Sequence, residues 1–563
     1  MRRAHYFILI IVFVVFTGTA LFGSGIPVSI DDPVYGFLKR METRGIVANF
    51  NDAALPLNRS EIADYICEIQ KNDFLLNSLE KTLLREYSAD YRHEISDNRQ
   101  IDLEADRTVQ APFLMKGGVK KRFRDIFNRT DGAEEKHLLV YEEDKHFIWL
   151  DIEEGVKFEF KNGESRRLES DAFIFRGNLG GKLSFYLNAF RYRKTWNPAF
   201  TDTLKEQHGN WGMYQPDSLY TFDNAYSALV FHNEYYDLGI YRQPVLWGRS
   251  FSNNIILSDN PPVFTYLGFN SSWKNIKFSF IHGSLLNDST SIKSAPDDVR
   301  NRQKYLAVHR VDFPLLSGKI QIGLTDIVVY GNRSLELSYL SPTNFFWTVG
   351  HNLIDRDNSL MAVDFKTLYF KNIELYGSLF LDELRLSELG KQWWANKQIL
   401  QGGIRWSPIL LSLPVDFQVE FTAVRPWVYT HKTLTTNYTN NALCLGFPEG
   451  PNSQQLFFRG ETHFTRRTKL SCELKHLKHG VDENGDFWGG DVTSRYTLRD
   501  TTYENSTKWL MGPIQTTNSF DIRLTYEIFN DSFINTGIYY INKELNGKTT
   551  NATFFFVGLK INI

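Results

Sequence analysis

Two hydrophobic periods divide this chain. Between residues 31 and about 95 apolar positions recur with the 3.6-residue spacing of a helix. Val34, Phe37, Leu38 and Met41 form one stripe, with Asp32 placed to cap it, Pro33 fitting the first helical position and Gly45 ending it. Asn58 and Glu61 stand at capping-box spacing ahead of a second stripe of Ile62, Tyr65, Ile66 and Ile69. Leu79, Leu83, Leu84 and Tyr87 make a third. Each stripe is one-sided, and about sixty residues make a marginal core alone, so these helices are expected to dock on the rest of the chain.

From about residue 138 the period falls to two. In SFDIRLTYEIF, Phe520, Ile522, Leu524, Tyr526 and Ile528 share one face, and Asp521, Arg523, Thr525 and Glu527 the other. PVDFQVEFTAV alternates in the same way, with Val415, Phe417, Val419 and Phe421 against Asp416, Gln418, Glu420 and Thr422. GKLSFYLNAF and NIELYGSLFLDEL repeat the pattern. Short turn signals separate many runs, among them Asn162-Gly163, Gly180-Gly181, Ser317-Gly318 and Asn546-Gly547.

Alternation is shared by soluble β-rich proteins and membrane barrels, and three features favour the barrel. The runs last roughly nine to twelve residues, as a tilted membrane strand needs. Charges such as Glu420 and Arg523 stand in mid-strand, as a wet lumen allows. The chain finishes on FFFVGLKINI, with Phe555, Val557, Leu559, Ile561 and Ile563 on one face, which closes a barrel but leaves an open sheet with an exposed edge. The fold class expected is an all-β transmembrane antiparallel barrel of about 16 to 18 strands, with 18 the preferred even number, carrying a small N-terminal α-helical module.

The ends and composition add a compartment. Arg2 and Arg3, the apolar run Tyr6 to Phe16 and Gly23-Ser24-Gly25 have the n-, h- and c-region pattern of a secretory signal peptide over residues 1–25. The expected order is then a helical module on the periplasmic side at 26–110, a linker at 111–137 and a barrel at 138–563. Three scattered cysteines (Cys67, Cys444, Cys472) build no disulfide framework. Lys+Arg 63 against Asp+Glu 65 gives no basic face for nucleic acid. The 44 Phe, 27 Tyr and 12 Trp suit aromatic girdles at the interfaces of an outer membrane.

The irregular stretches carry the remaining information. They are GIYRQPVLWGRSFSNNIILSDNPPVFTYLGF (239–269), YGNRSLELSYLSPTNFFWTVGHNLIDRDNSLMAVDF (330–365), FLDELRLSELGKQWWANKQILQGGIRW (380–406) and LGFPEGPNSQQLFFRGETHF (445–464). The WG turn followed by SDNPPVF, the LELSYLSP segment followed by DRDN, the paired-Trp WWAN and the GPNS corner resemble, in this order, the capsule assembly Wzi family of outer-membrane proteins. The resemblance covers nearly the whole mature chain and departs from many barrels in ending on isoleucine. It implies a non-enzymatic role at the cell surface, holding or organising a capsular or exopolysaccharide. Outer-membrane lipid, that polysaccharide and the barrel-insertion machinery are the partners implied, with no cofactor and no metal.

Candidate residues follow. The 246–264 segment is expected to plug the lumen, with Trp247, Arg249, Asp259 and Asn260 in it and the run Asp355, Arg356, Asp357 and Asn358 as the charge partner, since buried charges persist only when paired. Trp393, Trp394 and Asn396 are the candidate sugar contacts, with an interfacial girdle as the alternative for the tryptophans. KHLKHG, holding His476 and His479, reads as a solvated loop, and Asn452-Ser453 as a loop turn. HExxH, GxSxG, a P-loop and GxGxxG before a helix are all missing from the sequence. A diffusion porin is the second reading, and an outer-membrane hydrolase the third.

Overall fold

The computed structural model describes residues 24–97, 137–143, 146–195, 197–200, 212–215, 219–287, 303–383, 385–388, 391–529 and 531–562. Residues 1–23 of the expected signal peptide, residues 98–110 of the expected helical module and all of the expected linker but His137 lie outside the described residues. The rest is one closed antiparallel barrel of 18 wall strands with helices at its N-terminal end.

The wall strands are β1 (His146–Lys161), β2 (Glu164–Leu179), β3 (Leu183–Thr195), β4 (Leu219–His232), β5 (Tyr236–Arg242), β6 (Thr265–Trp273), β7 (Ile276–Leu285), β8 (Lys304–Leu315) and β9 (Ile320–Gly331). They continue as β10 (Asn358–Thr367), β11 (Ile373–Glu383), β12 (Lys397–Trp406), β13 (Leu413–Val424), β14 (Ser453–Thr465), β15 (Thr468–Gly480), β16 (Ile514–Phe529), β17 (Ser532–Leu545) and β18 (Lys548–Asn562). β18 pairs with β1 through Phe555↔Phe160 to Asn562↔Glu153 and closes the ring. Strand lengths run from 7 to 16 residues, a wider spread than the sequence pattern predicts, because the strands near the closure continue beyond a membrane's thickness. KHLKHG belongs to β15 rather than to a loop, with His476 paired to Asn518 across the ladder.

Alternation sorts the wall as expected. Phe173, Val363, Phe365, Ile404, Phe421, Leu456, Leu474 and Phe555 are exposed on the outward face. Arg310, Asp312, Asp364, Lys366 and Glu420 are buried on the inward one. An apolar surface outside and charges inside is the inverse of a soluble sandwich.

Tight turns join the strands at one end. Lys274, Asn372 and Asp531 take left-handed φ of 55°, 59° and 58° in them. Long connections, among them 243–264, 332–357, 425–452 and 481–513, leave the other end, where the tight turns Asn162-Gly163 and Asn546-Gly547 also lie. In barrels of this class the long loops face the exterior.

The helices are α1 (Pro33–Thr43), α2 (Arg59–Lys71), α3 (Ser78–Asp90) and α4 (Arg92–Asp97). Asp32 caps α1 by accepting from the Val34 N–H at 2.9 Å, and the Asn58/Glu61 capping box forms. A second box, Asn77 with Glu80, starts α3. The module packs at the short-turn end. Arg40 donates to the carbonyls of Pro408 and Val415, both at 2.8 Å, and pairs with Glu80. Lys277 meets Glu61 at 2.7 Å and Arg466 meets Glu86 at 2.8 Å.

Candidate functional site: a plugged lumen beneath an aromatic cleft

The 246–264 segment turns back from β5 into the lumen. Leu246 and Trp247 pair in antiparallel register with Leu55 and Ala54 of the module, and Trp247 exchanges backbone bonds with Leu257 at 2.9 and 3.1 Å. Ile255, Ile256 and Leu257 are fully buried against Tyr429, Tyr438, Leu445 and Phe447 of the 425–452 loop. The Tyr429 and Tyr438 hydroxyls donate to the Ile255 and Ile256 carbonyls, each at 2.7 Å. Glu420 of β13 accepts from the Ser250 hydroxyl and the Phe251 N–H, fixing the far side of the segment.

Arg249 carries the charge chemistry. Its guanidinium donates to Asp364 at 2.6 Å, Asp312 at 3.0 Å and Gln321 at 3.3 Å, with no exposed side-chain surface. Arg310 bridges the same two aspartates. Lys366 continues the seam to Glu42 at 2.7 Å and Asp52 at 3.0 Å, and Lys39 joins Asp52 to Glu374. Cations and carboxylates therefore alternate from wall to plug to module, which is the arrangement a desolvated charge requires. Burial pushes the Glu42 carboxyl up to about 7, against the pull of Lys366.

The charge partner expected from sequence is not the one found. Asp355 and Arg356 are exposed, and Asp355 lies in a turn with φ of 50°. Asp357 takes both guanidinium nitrogens of Arg333 at 2.7 Å, and Asn358 donates to the Thr436 carbonyl at 3.1 Å. The 332–357 loop folds over the outside of the wall, so its charges never reach Arg249. Asp259 is exposed and enters no described ion pair, while Asn260 donates to the Cys444 carbonyl at 3.0 Å.

Above the plug, segment 391–396 and loops 425–452 and 481–513 meet around a small cleft, open to solvent and lined by Trp394, Trp427, Phe487, Trp488, Arg499, Asp500 and Tyr503. Gly489 has φ of 78°, and a Cβ there would stand 2.7 Å from the Trp427 ring. Gly512 has φ of 73°, and its Cβ would stand 2.4 Å from Trp488. Both glycines let an indole lie flat against the backbone. Asn452, expected as a simple turn residue, is a fully buried clamp. Its amide donates to Gly480 and Met511 carbonyls at 2.9 and 3.0 Å, and accepts from the Met511 N–H at 2.9 Å. It thereby pins the base of 481–513.

The structure places Trp393 and Trp394 at this rim, away from the lipid-facing belt. Arg499 stacks on Trp394 at 3.7 Å and Arg385 lies over Trp393 at 4.9 Å, so Trp394 forms a wall of the cleft with one face already covered. Asn396 is buried with both amide ends engaged, donating to the Glu388 carbonyl at 2.6 Å and accepting from the Arg385 N–H at 3.3 Å. It braces the loop. The open aromatic surface belongs to Phe487 and Tyr503, each 37% exposed, which no periodicity singles out. Gly489 of DFWG was the available signal, since an aromatic beside a glycine marks close packing on backbone.

The family model of the capsule assembly protein Wzi matches residues 154–546. Among solved structures, Wzi of Escherichia coli, described as an outer membrane protein involved in group 1 capsule assembly and a carbohydrate-binding β-barrel, aligns at 13% identity. The alignment covers 95% of this chain and 99% of that one, with a TM-score of 0.59. OprD of Pseudomonas aeruginosa aligns at 8% identity over 74% of this chain and 95% of its own, with a TM-score of 0.41. OpdK of the same organism aligns at 10% over 74% and 98%, with a TM-score of 0.40. No curated protein sequence matches. The match over most of the barrel assigns this chain to the capsule assembly Wzi family.

Proposed function

We propose that this outer-membrane protein holds or organises a surface polysaccharide at the cell exterior, through the cleft at the long-loop end, without catalysing a reaction. The observation that carries the reading is the pairing of a filled lumen with an aromatic cleft directed outward. A porin needs an open constriction, whereas here segment 246–264 and the helical module occupy the interior. Flat apolar sugar faces suit exposed rings such as Tyr503 and Phe487, and Asp500 and Arg499 supply polar contacts beside them. Among the described lining residues Asp500 is the only carboxylate, where glycoside hydrolysis ordinarily uses a pair. Capsular or exopolysaccharide is the ligand expected from the family, and the barrel-insertion machinery the expected assembly partner.

The test is binding of the purified protein, in detergent, to polysaccharide sheared from its own host, against an unrelated glycan. Saturable and glycan-specific binding is expected, weakened about tenfold by Tyr503→Ala or Trp488→Ala, the scale of one lost stacking contact. Equal affinity for the unrelated glycan, or no binding, overturns the reading.

A further inference from the structure

The 332–357 loop does something the other long loops do not. On β8 and β9 the inward residues Arg310, Asp312 and Thr325 belong to the lumen seam, so by alternation His309 and Asp326 face outward, opposite each other in register. An Asp/His pair on the lipid side of a barrel is costly at membrane depth. Here it is covered. Residues Phe346–Asn352 form a short helix, α5, lying across it. The Phe346 N–H donates to Asp326 at 2.7 Å, and the Phe346 ring sits 4.5 Å from His309. Tyr339 and Phe346 are fully buried against Phe280, Ala307, Val328 and Tyr330, all on the outward side of the wall. The Arg333–Asp357 pair, with the Tyr339 hydroxyl on Asp357 at 2.9 Å, latches the two ends.

The opposite side of this flap is apolar. Leu337, Phe345, Trp347 and Ile354 are 74%, 47%, 45% and 88% exposed. Between Arg333 and Asp355 the sole Asp, Glu, Lys or Arg is Glu336, whereas the water-facing loop 481–513 carries nine such residues. The flap also begins where the outward wall is still exposed and apolar. Leu324, two residues before Asp326 on the same face, pairs with Val363, and both are exposed. An apolar surface of this size, rimmed by aromatic rings and continuous with the lipid-facing belt, is what membrane interfaces select.

We propose that segment 333–357 is seated in the outer leaflet, with Leu337, Phe345, Trp347 and Ile354 against lipid acyl chains while its inner side seals the polar wall beneath. The seat reaches the glycan end of the molecule. Lys432 donates to the Asp355 carbonyl at 2.6 Å and Asn358 to the Thr436 carbonyl, so the loop that contributes Trp427 to the cleft rests on this lipid-bound element.

The test uses nitroxide labels on Trp347→Cys and, separately, Ile354→Cys, in a Cys472→Ser background. The full-length mature protein is reconstituted in vesicles of phosphatidylethanolamine and phosphatidylglycerol. Leu324→Cys reports the lipid-facing wall and Lys391→Cys the aqueous rim. The expected result is oxygen-to-nickel-chelate accessibility at 347 and 354 within about twofold of that at 324, far above that at 391. High accessibility to the nickel chelate would make the flap a water-facing lid and overturn the proposal. Protection from both reagents would also overturn it, because a second protein surface would then be covering the flap.

Discussion

Two loops of this barrel meet the wall from opposite sides. Segment 246–264 enters the lumen and carries Arg249 into a buried network of charges. Segment 332–357 lies on the exterior and carries Tyr339 and Phe346 onto an outward Asp/His pair. Each loop supplies what its side of the wall lacks. Inside, wall carboxylates are desolvated and need cations. Outside, polar wall groups would face hydrocarbon and need a cover. Whether a loop becomes plug or flap therefore follows from which face of the strand its anchoring side chains match.

Removing the plug is the largest perturbation of that contrast. Deleting residues 250–262 is expected to convert a non-conducting barrel into one with steady single-channel conductance in a planar bilayer. A deletion that leaves conductance at zero would mean that the helical module alone closes the lumen.

The two latches can then be compared directly. Arg249→Met leaves Asp312 and Asp364 sharing Arg310 without a second cation in a fully buried site, and a broken buried network of this kind costs about 3–5 kcal/mol. Arg333→Met strips Asp357 of its partner at a site partly open to water, where the expected loss is about 1–2 kcal/mol. Urea unfolding of both variants in the same detergent measures the gap. Equal losses would show that the lumen seam is as hydrated as the rim.

The sequence revealed the two periods, the capping box at Asn58, the turn glycines and the barrel's closure, because each is local or repeats many times. It also marked 246–264 as irregular, through Trp247, Gly248 and the Asp-Asn-Pro-Pro corner. What it could not show was partner choice. Arg249 lies 63 residues from Asp312 and 115 from Asp364, and the nearer-looking acidic run 355–358 is separated from it by the wall itself. Asp312 and Asp364 looked like ordinary polar alternates of their strands. The cleft was half legible. Trp393 and Trp394 drew attention as a pair, but Phe487, Trp488 and Tyr503 come from a loop whose path is set by Asn452, a residue that reads as a turn former until its clamp on both ends of that loop is seen.

The smallest contrast is one of pH, and its sign follows from one group. Glu42 on α1 sits between Lys366 and Gln321, with burial raising its carboxyl from 4.5 to about 7. A carboxyl whose folded value is raised holds its proton more tightly in the folded state. Its favourable contribution is full below 4.5 and is lost as pH rises through about 7. Asp52 shifts the other way, held below its ordinary 3.8 by Lys366 and Lys39, so its contribution is already complete above that value and does not offset Glu42 in this window. The inner seam is therefore expected to weaken between pH 4.5 and 7 by on the order of 3 kcal/mol, the interval from 4.5 to about 7 taken at about 1.4 kcal/mol per pH unit. Glu42→Gln should flatten the dependence, read as melting temperature against pH in detergent, while keeping the hydrogen bond to Gln321 available. A slope that persists in Glu42→Gln would move the titration to another member of the seam. A slope of the opposite sign would mean that Glu42 is ionised throughout and that Lys366 dominates its burial.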